Sequence, residues 1–248
     1  MSVLAIIPGI ILLIIVWKFD SVEKEPPGLL LKLFLCGGLT VIPAILIRVF
    51  GGRIFDGLFE SRTDIGFLLI DCILLTALVQ EGGKLIVLKL ITWKNRAFNY
   101  TFDAVVYSVA VSIGFAVFIN IAYALRFGPD NSLLRLVFSV PGHAMNAVFM
   151  GYFYGLARYS KGEGDKRSER MHLLEALLVP LVIHGLFDLC TATDKTVFYV
   201  LFVIYELLIT LTAVRQFIRL SKTDTLIPGM EYTLSSIDWD SEEDRDEG

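Results

Sequence analysis

The chain has 248 residues, of which 55% are hydrophobic and 19% charged, with a mean hydropathy of +0.65. That composition excludes an ordinary soluble domain, and several apolar runs reach the roughly 20 residues that cross a bilayer as a helix. The net charge of −4 conceals an acidic end, 237–248, and basic residues gathered in a few loops, and no nucleic-acid partner is expected. The three cysteines, Cys36, Cys72 and Cys190, lie scattered in apolar runs without metal-ligand spacing and read as packed or lipid-facing thiols.

A first helix is expected over 3–17. It lacks the charged start and small-residue cleavage site of a signal peptide and reads as a retained helix. A polar loop with Asp20, Glu23, Lys24 and Glu25 follows, and Pro26-Pro27 suits the start of the next helix. The second span, 29–50, contains Pro43 as a candidate kink. The third, 65–93, is long for one crossing, and Gly82-Gly83 marks its expected weak point. Further spans follow over 102–125, 133–157, 173–190 and 196–218, the fourth and fifth joined by a turn-rich loop at 126–132. The expected fold is therefore an all-α polytopic transmembrane bundle of about seven helices, eight if one is split. Residues 1–220 would form the membrane domain and 221–248 an acidic, mostly disordered tail. Basic residues favour the loops after the odd-numbered helices, Arg158, Lys161, Lys166, Arg167 and Arg170 in one of them. That places the N-terminus outside and the C-terminus in the cytoplasm.

Five spans hold strongly polar residues where a charge costs about 2.5–3.5 kcal/mol on insertion scales. The third has Gln80, Glu81 and Lys84, the last two one turn apart and able to satisfy each other. Asn120 is on the fourth, His143 on the fifth, His184 and Asp188 on the sixth and Glu206 on the seventh; Asp71 lies near the outer end of the third. His184 and Asp188 are four apart on one helix face, where a carboxylate can hold the imidazole in one tautomer. Singly, each is most simply a helix-packing hydrogen bond. Together, on different helices near mid-span, Glu81, His143, His184 and Asp188 suggest chemistry. Gly82, Gly83, Gly114, Gly142 and Gly185 either bring backbones together or leave room for a substrate chain.

A carboxylate can take a proton from water while a histidine stabilises the oxyanion or the leaving amine. Alternatively Glu81, His143 and His184 could hold Zn²⁺ with an open fourth position. Either would suit peptide-bond hydrolysis inside the membrane. A transporter could use Glu81 and Lys84 as a proton relay, although no inverted repeat relates the halves.

The order and spacing of these residues resemble the PrsW family of intramembrane proteases, related to the CAAX-processing and Abi proteases. Phe19-Asp20 with Glu23-Lys24-Glu25-Pro26 is similar to that family's first loop. Gln80-Glu81-Gly82-Gly83-Lys84 lies where the family carries Glu-Glu-x-x-Lys. Asp103-Ala104-Val105-Val106-Tyr107 with Gly114-Phe115-Ala116 is similar to its next motif, which usually ends in Glu-Asn. His143 with Gly151-Tyr152, and His184-Gly185-Leu186-Phe187-Asp188, resemble its two histidine motifs. The resemblance implies a glutamic-type endopeptidase in a bacterial plasma membrane, cutting single-pass membrane proteins such as anti-sigma factors. Position 80 or Glu81 would activate water, His143 and His184 would stabilise the intermediate, and Lys84, Asn120 and Asp188 would support them. No cofactor is expected, with zinc on Glu81, His143 and His184 as the alternative. Two residues depart from the pattern. Gln80 replaces the first Glu, and Ile119 replaces the Glu of Glu-Asn, with Asn120 retained. An amide is no base near neutral pH, so with Gln80 in the catalytic position the chain is inactive or very slow. If Glu81 is the working base, activity survives. A naturally inactive member and a deliberate Glu-to-Gln replacement both fit. The alternatives are a non-catalytic relative that binds membrane segments and a proton-coupled transporter.

Overall fold

A computed structural model describes residues 2–20, 22–55, 58–59, 61, 63–128, 133–193 and 196–230. Among them the chain is all-helical: α1 (Ser2–Phe19), α2 (Pro27–Leu39), α3 (Val41–Phe55), α4 (Ile65–Thr92), α5 (Asp103–Phe127), α6 (Leu133–Gly162), α7 (Lys166–Ala192) and α8 (Thr196–Lys222). Taking α2 and α3 as one broken rod gives seven rods in a polytopic bundle. Among the described residues five stretches are long and apolar enough to cross a membrane, namely Pro27–Phe55, Ile65–Thr92, Asp103–Arg126, Lys166–Ala192 and Val200–Lys222. In α1, Ile7–Phe19 is a further apolar stretch. α6 carries polar residues of the site described below.

Local chemistry sets the helix ends. Pro26-Pro27 opens α2, where a missing N–H costs nothing. Asp64 caps α4 through the Gly66 N–H, and Asp165 caps α7 through Arg167 and Ser168. α5 stops at Gly128, whose φ of +82° suits a residue without a Cβ. The second rod breaks at Thr40, not at Pro43. Pro43 is the third residue of α3, in the first turn, where its missing N–H removes no intrahelical bond. Gly82-Gly83 does not interrupt α4 either. The irregularity comes one turn earlier, as a π-helical section over Ile70–Leu78. Its i→i+5 bonding rephases the side chains that follow it, and such sections gather at functional sites.

α5 is the centre. Apolar nearly all round, it is buried over 83% of its membrane window and packs against α1, α2, α4 and α6. Glycines bring α2 and α5 together: a Cβ on Gly114 would fall on the Phe34 backbone, and one on Gly37 on the Val111 carbonyl. Gly114→Ala is therefore expected to lower stability by about 1–3 kcal/mol through overpacking. Melting in detergent checks this, with Gly28→Ala, which meets nothing within 4 Å, leaving the midpoint unchanged. A Cβ on Gly185 would likewise lie 3.2 Å from Ile73 Cγ1 of α4, whereas Gly82 and Gly142 have room for a side chain.

The loops after α1, α4 and α6 and the chain after α8 meet at one end. Asn99 Nδ2 donates to Glu23 at 2.8 Å, and the Phe102 N–H donates to Asp224 at 2.8 Å. Thr101 N–H donates to Thr225 O at 3.0 Å, and Ile227 is fully buried. The segment expected as tail thus begins inside α8, and its first residues are part of the packed body; residues 231–248 lie outside the described residues. Lys89, Arg158 and Lys161 surround the Trp93 ring at this end, a basic and aromatic girdle of the kind found at membrane interfaces.

Here too lie Asp20 and Glu25. Burial pushes Asp20 up to about 6 and Glu25 up to about 7. Because both folded values are raised, their contribution to stability is full below pH ~4, where the unfolded chain also keeps these protons, and is lost as pH rises through 6 to 7. In chelator, melting at pH 5 is expected above that at pH 8, and Asp20→Asn should flatten the difference. A flat profile in the unsubstituted chain would contradict this.

Candidate active site

Three helices bring the central polar residues to one place. Glu81 and Lys84 project from α4 just after the π section, and both side chains are fully buried. Lys84 Nζ donates to Glu81 Oε1 at 2.8 Å, and His184 Nδ1 on α7 meets the same oxygen at 2.7 Å. His143 on α6 places Nδ1 3.1 Å from Lys84 Nζ, and the two imidazole rings are 5.2 Å apart, nearly perpendicular. Phe115 of α5 closes the cluster, its ring 5.3 Å from His143 and 4.8 Å from the Lys84 ammonium. Glu81 Oε2 is buried without a hydrogen-bond partner.

These contacts fix the protons. A carboxylate only accepts, so His184 Nδ1 carries the hydrogen shared with Glu81. An ammonium only donates, so His143 Nδ1 accepts and its Nε2 carries the hydrogen. His184 thus donates from Nδ1 to Glu81, while His143 accepts at Nδ1 from Lys84. Asp188 lies a turn beyond His184, with Oδ2 3.5 Å from His184 Nε2.

Both rings line a cavity of about 550 Å³, a size typical of ligand sites. Gln80, Asp188, Ser139, Asn146 and Glu206 share its wall, as do Arg48 and Asp71, which pair at 2.9 Å. Glu81 and Lys84 sit behind the histidines, outside the lining. Of the residues singled out from sequence, Gln80, His143, His184, Asp188 and Glu206 reach the cavity and Glu81 and Lys84 support it. Asn120 donates instead to Ser139 Oγ at 3.2 Å. Asp71, read as interfacial, is the partner of Arg48. Sequence reading missed Asn146, three residues after His143 and hence on its helix face, and the Arg48–Asp71 pair, whose members are 23 residues apart.

Glu81, His143 and His184 offer one metal-ligating atom each within 4.8 Å of one another, the donor types of a zinc site. Lys84 competes with a metal for them. Lys84 occupies the centre of the set, bonded to Glu81 Oε1 and to the His143 lone pair. A metal on His143 Nε2 would force a hydrogen onto Nδ1, facing the ammonium donor to donor.

Two imidazoles on the wall of a cavity inside a helical bundle, backed by a buried carboxylate and ammonium, are an arrangement suited to a membrane-embedded enzyme. A family described as "PrsW family intramembrane metalloprotease" matches residues 25–213, and the chain belongs to it. Similar curated proteins each carry the name Protease PrsW. The one from Geobacillus kaustophilus is 31% identical over 193 residues, covering 77% of this chain and 80% of the relative. The Bacillus subtilis protein is 31% identical over 79% of this chain and 85% of its own, and the Clostridioides difficile protein 30% identical over 83% and 85%. No solved structure matches the chain. The protein is thus a multi-pass membrane peptidase by family.

Proposed function

We propose that the chain hydrolyses peptide bonds of single-pass membrane proteins in this cavity, with position 80 as the base site. The observation that carries the reading is that Gln80, His143 and His184 line one cavity, with Glu81 and Lys84 bonded to the two histidines behind it. Glu81 is spent on Lys84 and His184, so it positions His184 and does not face water. Position 80 does line the cavity. A carboxylate there takes a proton from water as the water oxygen attacks the scissile carbonyl carbon. His143 Nε2–H donates to the oxyanion that forms. The carbonyl re-forms, the C–N bond breaks, and the base returns its proton to the leaving nitrogen. Glu81 at Nδ1 and Asp188 near Nε2 flank the His184 ring and hold it in the cavity wall, where it helps position the attacking water. With Gln80 the histidines and cavity remain and the base does not, so the chain as written binds its substrate and turns it over slowly.

The basic end with Trp93 lies in the cytoplasm on this reading, and the cavity opens toward the outer side of a bacterial plasma membrane. The non-catalytic alternative draws its support from Gln80 alone. No step is assigned to a metal. In a Gln80→Glu background, His184→Ala is expected to lower cleavage of a reconstituted single-pass substrate by about 10²-fold or more, while prolonged chelation leaves it unchanged. Loss of cleavage on chelation, restored by zinc, would overturn the metal-free account.

A further inference from the structure

A second set of buried acids lies at the opposite end of the bundle from the cavity, and the proposed hydrolysis does not use it. Asp20 follows α1, Glu25 precedes α2 and Asp103 opens α5; their exposures are 1%, 2% and 1%. Each offers an oxygen, and these oxygens all lie within 4.8 Å of one another. Three carboxylates so placed repel one another and are costly to bury without a positive partner. Among the described residues no lysine, arginine or histidine makes an ion pair with any of them. Lys24, the cation of the same loop, donates to the main-chain carbonyls of Trp17, Lys18 and Asp20.

The oxygens are also left over. Neither Asp20 carboxylate oxygen has a hydrogen-bond partner, and neither does Asp103 Oδ1. Asp103 Oδ2 is held by the N–H groups of Asn99 and Tyr100 at 3.0 and 2.7 Å, which aims Oδ1 away from them. Glu25 Oε2 accepts from the Tyr107 hydroxyl. Asn99, 4% exposed, adds a buried carbonyl oxygen with no partner. Neutral and anionic oxygens without nitrogen or sulfur are the ligand set of a hard cation.

We propose that Asp20, Glu25 and Asp103 bind one hard divalent cation, Mg²⁺ or Ca²⁺, which clamps the α1–α2 loop to the start of α5. The site is built for fold closure at this end and lies apart from the histidine cluster.

The full chain in detergent, stripped with chelator, provides the test. Terbium is added and excited through tryptophan, since Trp17 Nε1 donates to the Glu25 carbonyl at 3.1 Å and so lies beside the ligands. Sensitised emission is expected, with displacement by Mg²⁺ and Ca²⁺ titrated separately to rank them. The melting midpoint should rise by roughly 5–10 °C at a cation concentration 100 times Kd. Both signals should vanish in Asp20→Asn, whose carboxylate makes no hydrogen bond to lose, and persist in His184→Ala. Asp103→Asn removes a helix-end acceptor and can fail to fold, so Asp20→Asn carries the test. No emission and no shift in the stripped chain would overturn the proposal, leaving the acids neutralised by protons. Signals that survive Asp20→Asn and disappear in His184→Ala would overturn it as well, by placing the cation at the other cluster.

Discussion

Gln80→Glu is expected to raise cleavage of a reconstituted single-pass substrate by about 10²–10⁴-fold, the usual contribution of a positioned general base. The change is nearly isosteric, so binding and fold should be retained and the gain should appear in kcat. The carboxylate enters a cavity already lined by His143 and His184. Gln80→Ala should restore nothing, because it supplies space and no base. A chain that already cleaves at the Gln80→Glu rate would place the base elsewhere, with Glu81 or Asp188 as the remaining carboxylates near the histidines.

Lys84→Met is expected to cost about 3–5 kcal/mol of stability, the largest effect of any single change outside position 80. Lys84 and Glu81 are both fully buried, and removing the ammonium leaves a carboxylate with only His184 to face it. Lost folding is therefore a plausible reading of any inactive Lys84 variant, and the pair has to be separated by a cycle. Glu81→Gln/Lys84→Met should recover much of the loss, since it removes both charges and leaves similar volume. Melting midpoints of the two single variants and the double, in one detergent, give the coupling. Additive losses would mean that the two side chains do not depend on each other. Lys84→Met also removes the donor to His143 Nδ1, so activity should fall further than the folded fraction does.

The sequence made the bundle and most of the site's members legible for a definite reason. Each intramembrane charge is expensive, so Glu81, Lys84, His143, His184 and Asp188 stand out against apolar neighbours. Spacing revealed the Glu81–Lys84 pair, because three residues make one helical turn. It could not reveal that His184 takes the same carboxylate oxygen, or that Lys84 reaches His143, since those partners are 103 and 59 residues apart. Nor could it tell that Gln80 faces the cavity and Glu81 does not. That division follows from the π section upstream, and no residue type announces a π turn. Gly82-Gly83 looked like the weak point because glycine lowers helix propensity, yet packing inside a bundle overrides propensity. Pro43 misled similarly, by falling in a first turn where proline is harmless. The acids Asp20, Glu25 and Asp103 were visible only as separate motif residues, and their convergence is a tertiary fact.

The central claim is that this bundle adds water to a peptide bond within a membrane segment. It is tested most directly by mass spectrometry of products formed by the Gln80→Glu chain from a reconstituted single-pass substrate in H₂¹⁸O. The account predicts two fragments cut within the outer half of the membrane segment, with one ¹⁸O in the new carboxylate of the N-terminal piece. Intact substrate after incubation, or fragments cut only in the soluble portions, would contradict it.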